Sequence, residues 1–600
     1  MCGIAGGFAF GAAAPVVDVR VVEAINRRQF RRGPDGGGVW GSDDGRIVLG
    51  HRRLAIIDTS ESGAQPMTEA GGRWTCVFNG EIYNYRELRD ELEGLGYRFV
   101  SSSDTEALLN AIDAWGEAAL CRLRGMYAFA IWDSESEELW LARDPFGIKP
   151  LYWSACGASL YFASSARALS DCAPVDASRD PAGLVGFYLW GFVPEPFTWW
   201  EGVHALPAGG LLRISRGALE VPAPRLDSRI ADAFHSPAQA IEPEELRRAL
   251  GDSVARHFVS DAPVGVFLSA GIDSTVIAAL AAQAGFRLRT LTLAFDEFAG
   301  LPGDEAPLAE ETARLIGAEH TTVRVSRAEF LDLLDDFLDD MDQPTTDGLN
   351  AYLVSRAAAS IGLKVALSGI GGDELFGGYP SFTQIPRALR LFDFRGRETV
   401  GKALQALGAP LCHALGVNPK FAAVVNYSGS PERAYLLRRC LHLPEELELL
   451  LDESWLRRGW ARLAAASENQ ETTGSAHADI SRRELAYYMR NQPLRDADWA
   501  GMAHSVEVRT PLLDMPLLSR LAPAILSANP PGKADLARCA GPVATRLIDR
   551  PKTGFTTPVS HWLPSRKPRR RGMQSWALKV AAHYRARPEG DSCATSCQVS

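Results

Sequence analysis

The second half of the chain alternates short apolar runs with Ala- and Leu-rich helical stretches, and this alternation constrains the fold most. The apolar runs lie at residues 265–268, 289–293 and 364–367, and residues 385–480 have a mostly helical pattern. Strands that alternate with helices in this way predict a parallel sheet connected by crossover helices. The sequence therefore predicts an α/β domain over residues 241–562.

The first 215 residues have a different pattern, in which short apolar runs are bounded by Gly- and Asp-rich turns. This mixture of strands and a few helices predicts an α+β domain over residues 2–215. A Pro- and Ala-rich linker is expected over 216–240, and a basic and polar tail over 563–600. The expected strands include residues 47–49, 74–78, 128–132 and 139–142, and the expected helices are 85–95 and 104–115.

Composition and charge exclude several classes of protein. The chain has 600 residues and a formal net charge of −10, so it lacks the basic footprint of a general nucleic-acid binder. No window approaches about 18 consecutive apolar residues, so neither a membrane-spanning helix nor a membrane partner is expected. The ten cysteines are scattered without metal-type spacing, which favours reduced thiols and a cytoplasmic location.

Cys2 is the candidate nucleophile of the first domain. Removal of the initiator Met before a small second residue would make Cys2 the N-terminal residue. Its α-amine, with a reference pKa of about 7.7–8.0, would then take the proton of the thiol without a histidine. Taken alone, a Met-Cys start is a weak indication, because many proteins begin this way by chance.

Six further motifs follow Cys2 and together give it a context. In this order, they closely resemble the class II glutamine amidotransferase domain of glutamine-hydrolysing asparagine synthetases. The resemblance covers nearly all of residues 2–215. The motifs are RGPD at 32–35, HRRLAIID at 51–58, GAQPM at 63–67, FNGEIYN at 78–84, SDTE at 103–106 and RDPFGIKPLY at 143–152.

This resemblance implies an N-terminal-nucleophile hydrolase fold, an αββα sandwich of two antiparallel sheets between helices. It implies that Cys2 attacks the side-chain amide of glutamine, and that the Asn79 side chain and the Gly80 backbone N–H stabilise the oxyanion. The implied glutamine-binding residues are Arg53 for the carboxylate and Asp104 for the ammonium, with Asn79 and Glu81. Singly, Asn79-Gly80 is also typical of a hairpin turn and Asp104 of a helix N-cap.

A small-residue loop in the second domain predicts a phosphate site. The strand at 265–268 runs into SAGIDS at 269–274 and then into a helix over 275–284. Backbone N–H groups at such a turn hold phosphate, and Ser269 and Ser274 add hydroxyl donors. Asp273 is suited to hold Mg²⁺ against the phosphates. An ordinary strand-to-helix turn is the alternative interpretation of this loop taken alone.

The loop resembles the pyrophosphate loop of ATP pyrophosphatases, and three later segments match the asparagine synthetases over roughly 240–562. The segments are SGIGGDELFGGY at 368–379, HSVEVRTPLLD at 504–514 and RPKTGF at 550–555. The resemblance implies that Asp373 assists the metal and pyrophosphate and that Lys552 stabilises the α-phosphate during adenylation. The implied ATP-binding residues are Leu268, Ser269, Gly271, Asp273, Ser274, Leu293, Ser368 and Gly369.

Two positions depart from the family pattern. Arg31 stands where a His usually precedes RGPD, which leaves the role of that His open. Ile370 stands where a Glu or Asp is common, and Ile can neither deprotonate ammonia nor organise an aspartyl adenylate. The resemblance therefore supports aspartate as the acceptor less strongly than it supports the amidotransferase chemistry.

The two halves together predict one enzyme with ATP and Mg²⁺ as cofactors. Glutamine would supply ammonia, and a carboxyl adenylate would accept it, most simply aspartate giving asparagine with AMP, PPi and glutamate. The alternative is the same chemistry on another carboxylate, such as a sugar acid or a biosynthetic intermediate. A non-catalytic protein on this scaffold predicts loss of reactive residues, which is not seen. The sequence is compatible with a homodimer but does not decide the oligomeric state. Small molecules are the expected partners.

Overall fold

A computed structural model describes residues 2–415, 417–466, 472–550, 557–562 and 572–586. Lys552 and most of the 563–600 tail lie outside these residues. The described helices include none long and apolar enough to cross a bilayer. The eight cysteines within the described ranges are all free thiols.

The first part of the chain forms two six-stranded sheets in which every strand pair is antiparallel. One sheet has the order β10-β8-β9-β1-β3-β2, and the other has the order β12-β11-β7-β6-β5-β4. The strands are β1 (Gly3–Phe8), β2 (Gly36–Gly41), β3 (Ile47–Arg53), β4 (Met67–Thr68), β5 (Trp74–Ile82), β6 (Gly125–Asp133), β7 (Glu138–Arg143), β8 (Tyr152–Cys156), β9 (Ser159–Ala163), β10 (His204–Ala205), β11 (Gly210–Ser215) and β12 (Arg225–Leu226).

The two sheets stack face to face and are covered by helices on their outer faces. Apolar side chains such as Ile4, Val77 and Leu141 fill the layer between the sheets. The expected αββα sandwich is therefore confirmed, and the segment expected as a linker contains β12 and α7. The helices of this part are α1 (Val19–Arg28), α2 (Tyr85–Gly94), α3 (Asp104–Trp115), α4 (Ala119–Arg122), α5 (Ala166–Cys172), α6 (Pro181–Trp190) and α7 (Arg229–Ala233).

The second part is built on a five-stranded sheet that is parallel throughout, as the sequence predicts. Its order is β15-β14-β13-β16-β17. The strands are β13 (Val264–Phe267), β14 (Arg289–Phe295), β15 (Glu319–Val325), β16 (Val365–Leu367) and β17 (Glu507–Arg509). The chain builds outward from β13 on one side and then returns to the other side with β16. Ligands of open α/β sheets bind at such a switch point, beyond the carboxyl ends of the strands.

Helices surround this sheet and extend beyond it. A π-helical segment over Glu484–Leu494 leads into α20. The α-helices are α8 (Pro243–His257), α9 (Ile272–Gln283), α10 (Ala306–Leu315), α11 (Arg327–Asp340), α12 (Leu349–Ser360), α13 (Gly372–Leu375), α14 (Ser381–Leu391), α15 (Arg397–Ala414), α16 (Lys420–Tyr427), α17 (Pro431–Arg439), α18 (Glu453–Ala466), α19 (Ala476–Arg483), α20 (Arg495–Ala503), α21 (Met515–Ile525), α22 (Lys533–Cys539), α23 (Pro542–Thr545), α24 (Val559–Trp562) and α25 (Gly572–Ala586).

Buried ion pairs join the two parts. Arg32 donates to both carboxylate oxygens of Asp498, at 2.7 and 3.2 Å, and its Nε donates to the carbonyl of Cys2 at 3.2 Å. Arg124 forms a second bidentate pair with Asp514, at 2.8 and 2.7 Å. Because such pairs are buried, they fix how the first part sits on the second.

The Arg32–Asp498 pair yields a stability prediction. We expect Arg32→Met to lower the free energy of unfolding by about 3–5 kcal/mol, because it leaves the buried Asp498 carboxylate without its bidentate partner. The urea midpoint followed by fluorescence measures this loss. Arg20→Met, which breaks the exposed pair with Asp18, is the control and should change stability by about 0–1 kcal/mol. Equal urea midpoints for the two variants would contradict a stabilising role for the Arg32–Asp498 pair.

Candidate active sites

Cys2 immediately precedes β1, an inner strand of one sheet, and contacts Asn79 on β5, an inner strand of the other sheet. It is buried, its backbone nitrogen lies 3.0 Å from Oδ1 of Asn79, and its Sγ lies 3.9 Å from the carbonyl oxygen of Leu54. Burial raises the pKa of the Cys2 thiol, so the thiol needs a nearby base to become a nucleophile.

Asn79 and Gly80 lie next to each other on β5, beside Cys2. Nδ2 of Asn79 is buried and has no acceptor among the described residues, so it is a free donor beside the thiol. Gly80 has a φ of +157°, and a Cβ there would lie 2.1 Å from the carbonyl oxygen of Met126 on β6. Only glycine therefore permits this close approach of the two strands. The pair provides donors of the kind that an oxyanion needs.

Three further glutamine-site candidates of the sequence analysis lie near this point. Asp104 begins α3 after the Ser103 N-cap, and its Oδ2 accepts from the backbone N–H of Ile82 at 3.0 Å. Burial raises the pKa of Asp104 to about 7. Glu81 is buried on β5, and burial also raises its pKa, well above the usual range. Arg53 ends β3 and donates to the backbone carbonyls of Asp58 and Ser60, which keeps its guanidinium half-exposed.

Arg31, at the unusual position before RGPD, contacts the second part of the chain. Its Nη1 donates to both carboxylate oxygens of Asp340, at 2.7 and 2.5 Å, at the end of α11. Its carbonyl oxygen accepts from Oγ of Ser505 at 2.6 Å. Arg31 is therefore a link between the two parts rather than a group that faces Cys2.

A cavity of about 740 Å³ lies at the switch point of the parallel sheet. The loop from β13 to α9 and the loop from β16 to α13 form one side of it. In the first loop, Oγ of Ser274 accepts from the N–H of Ser269 at 3.1 Å, which holds the turn closed. All eight expected ATP-binding residues and Asp373 line the cavity. The fold therefore brings together residues that lie in separate segments of the sequence. Lys552 lies outside the described residues.

Lys533 is a site residue that sequence reasoning missed. Its Nζ forms an ion pair with Asp273 and lies 2.8 Å from Oδ1 of Asp373, the two expected metal ligands. Burial opposes its charge, but the two carboxylates raise the pKa of Lys533 above its usual value. Lys533 is the first residue of α22, and only its position after Pro-Pro-Gly marks it in the sequence.

The cavity also carries acidic and polar groups. Asp347, Asn350 and Asp496 line it, as does Ile370 of the loop from β16 to α13. Asp496 accepts from Thr345 Oγ1 and Trp499 Nε1, both at 2.9 Å, and burial raises its pKa to about 7. Among the described residues that line the cavity, the cationic side chains are Lys533 and Arg550.

A single strand separates the two sites. Side chains alternate along a strand, and β17 sends Glu507 and Arg509 toward the first part while Val508 lines the cavity. Arg509 pairs with Glu507 at 2.6 Å, and its Nη2 lies 3.3 Å from Oε2 of Glu81, two residues after Asn79. The thiol and the nucleotide cavity therefore face opposite sides of β17.

Comparison with known proteins gives the family of each part of the chain. Residues 1–223 match the family model of the glutamine amidotransferase domain, and residues 245–589 match the model of asparagine synthase. The chain therefore belongs to the asparagine synthase family of glutamine-hydrolysing ligases, as its motifs predict.

Individual relatives match along most of the chain. The chain is 33% identical to glutamine-hydrolyzing asparagine synthetase 1 of Bacillus subtilis, with 97% of this chain and 90% of that protein covered. A putative glutamine-hydrolyzing asparagine synthetase of Mycobacterium tuberculosis is 36% identical, with 94% and 88% covered. Asparagine synthetase B of Escherichia coli is 34% identical over 67% of this chain and 68% of its own length.

The raised pKa of Asp104 predicts a pH dependence of glutamine binding. An ammonium group needs the ionised carboxylate, whose fraction falls as the pH drops through 7. We expect the glutamine dissociation constant of a Cys2→Ala variant to rise about eightfold between pH 7.5 and pH 6, measured by calorimetry. The Asp104→Asn background should bind weakly with no such dependence. A constant affinity in the Cys2→Ala protein would refute this role for Asp104.

Lys533 yields a prediction for nucleotide affinity. We expect Lys533→Met to weaken binding of Mg-ATP about 10- to 100-fold, because a cation beside the phosphates is lost. Lys533→Arg should retain part of the affinity. Lys402→Met, an exposed lysine on α15, is the matched control. Calorimetric titration distinguishes the variants, and unchanged affinity in Lys533→Met would exclude contact with the phosphates.

Proposed function

We propose that the enzyme converts aspartate, ATP and glutamine, with water, to asparagine, AMP, pyrophosphate and glutamate. The observation that carries this proposal is the placement of a buried thiol and a nucleotide-sized cavity on opposite sides of β17. The family of the chain and its named relatives support aspartate as the acceptor.

In the proposed glutaminase reaction, removal of Met1 turns the Cys2 nitrogen into an α-amine. The amine takes the thiol proton, and the sulfur attacks the amide carbon of glutamine. Asn79 Nδ2 and the N–H of Gly80 stabilise the oxyanion. The protonated amine returns its proton to the amide nitrogen, and ammonia leaves with a thioester formed on Cys2. Water then hydrolyses the thioester to glutamate. The 3.0 Å contact between the Cys2 nitrogen and Asn79 supports this arrangement, because it keeps the base beside the donor pair.

In the proposed synthetase reaction, the 269–274 loop holds the phosphates of ATP. The acceptor carboxylate attacks the α-phosphorus and pyrophosphate leaves. Lys533 and, by the family resemblance, Lys552 stabilise the charge on the phosphates. Asp273 and Asp373 converge on one ammonium group, and two carboxylates with phosphate oxygens are the ligand set that Mg²⁺ prefers. These two residues would hold Mg²⁺, which supplies charge neutralisation for the leaving pyrophosphate.

Ammonia from Cys2 then attacks the acyl carbon of the adenylate, AMP leaves, and one proton is lost to give the amide. At pH 7 ammonia in bulk water is mostly protonated and not nucleophilic, so transfer inside the protein is an advantage. In the proposed binding mode, Asp347 and Asp496 receive the α-ammonium of aspartate. Both carboxylates line the same cavity as the phosphate loop and lie close enough for their charges to interact, which supports this assignment.

The acceptor is tested by incubating the enzyme with ATP, Mg²⁺, amide-labelled glutamine and aspartate. We expect labelled asparagine, AMP, pyrophosphate and glutamate in equal amounts. Glutamate and no asparagine would refute aspartate while leaving the amidotransferase chemistry in place. A screen of other carboxylates by pyrophosphate release would then identify the acceptor that tolerates Ile370.

Cys2→Ala tests the source of ammonia. We expect this variant to lose glutaminase activity and to keep asparagine synthesis from added ammonium salt, because the two sites use separate residues. Cys121→Ala, an exposed thiol of the first part, is the matched control and should keep both activities. Glutamate formation that persists in Cys2→Ala would refute the N-terminal nucleophile.

A further inference from the structure

The surface of α15 is unusually apolar for a part of the molecule that faces solvent. Leu407 is 80% exposed, and its neighbours on the same face are also exposed. Single exposed apolar residues are ordinary, but a contiguous patch of large ones marks an interaction site. We define the α15 surface by six exposed apolar residues. Val400, Leu404, Leu407 and Leu411 lie on α15, Leu391 is the last residue of α14, and Phe394 lies in the loop between the two helices.

The packing of α15 fixes this face outward. The adjacent face of the helix approaches α16 through small residues: a Cβ at Gly401 would lie 2.6 Å from Cα of Asn426, and one at Gly408 would lie 2.9 Å from Cβ of Ala422. Nδ2 of Asn426 also donates to Gln405 at 2.6 Å. Positions 401, 405 and 408 are about 100° around the helix from the apolar residues at 400, 404 and 407. The helix therefore cannot rotate to bury the leucines without losing its contact with α16.

Basic side chains accompany the apolar ones. Arg387 and Arg390 of α14 and Arg395 of the loop before α15 are exposed, and in the sequence they flank Leu391 and Phe394. Residues 387–411 contain five Arg or Lys and two Asp or Glu, a formal charge of +3 in a chain of −10. Apolar groups flanked by arginines are typical of helices that lie flat in the headgroup region of an anionic bilayer.

Charge disfavours a second copy of the chain as the occupant of this surface. A second copy would bring another +3 segment to the interface, and the Arg- and Lys-rich run at 566–571 of the chain is itself basic. A fluid, anionic lipid surface accepts protruding leucines without a preformed pocket and attracts the arginines.

We propose that the α15 surface binds the enzyme peripherally to anionic lipid bilayers. The apolar residues insert at the level of the headgroups, and the three arginines contact lipid phosphates. The proposal concerns peripheral binding only, since the described helices include none that could cross a bilayer. The proposal does not depend on the identity of the acceptor.

The test is co-sedimentation of the full-length enzyme with phosphatidylcholine vesicles, with and without phosphatidylglycerol. We expect binding to the anionic vesicles only, weakened when ionic strength rises from about 0.05 to 0.5 M. Leu404→Asp with Leu407→Asp should lower the partition coefficient about tenfold or more, because two apolar anchors are lost. Arg387→Glu with Arg390→Glu and Arg395→Glu should abolish the dependence on anionic lipid.

Leu219→Asp is the matched control, since Leu219 is fully exposed in the first part, away from this surface, and should bind as the unaltered enzyme does. Circular dichroism and Mg-ATP affinity verify that the variants are folded. No sedimentation of the unaltered enzyme, or equal sedimentation of the double Asp variant, would overturn the proposal. Light scattering that shows a dimer, converted to monomer by the double Asp variant without any vesicle binding, would assign the surface to a second copy instead.

Discussion

The buried charge of Arg509 on β17 is the interaction on which the rest of the architecture depends. Its side chain is fully buried, pairs with Glu507 at 2.6 Å, and donates to the carbonyls of His257 and Val259 at 2.8 and 2.6 Å. Glu81, 3.3 Å away, comes from the other part of the chain. Because a buried charge is costly when it loses a partner, separating the two parts would strongly destabilise this strand. The same contact sets Cys2 and the nucleotide cavity on opposite sides of one strand.

Sequence patterns could predict most of the fold and much of the two sites. The period of the apolar runs changes near residue 241, and this change separates an antiparallel sandwich from a parallel sheet. The glycine-rich loops could be placed because a turn between a strand and a helix leaves its N–H groups free. Asn79 and Gly80 could be placed only through the family resemblance, since the dipeptide alone is typical of a hairpin.

The remaining site features depend on contacts between distant residues and have no local signature. Lys533 lies 260 positions after Asp273, and nothing in its surroundings in the sequence shows that the two meet. Arg31 differs from the family pattern, and only the fold shows that it pairs with Asp340. The α15 surface could have been found from the spacing of Val400, Leu404, Leu407 and Leu411, but the same spacing is typical of a buried helix face. Which side faces solvent is decided by the small residues that contact α16.

We propose that ammonia released at Cys2 reaches the activated carboxylate in the second cavity without passing through solvent. The most direct measurement supplies glutamine labelled with ¹⁵N in its amide together with an excess of unlabelled ammonium, and determines the isotope in the amide product by mass spectrometry. If ammonia is transferred inside the protein, the amide product carries ¹⁵N almost completely, whatever the concentration of added ammonium. A product whose label is diluted in proportion to the bulk ammonia would contradict internal transfer across β17.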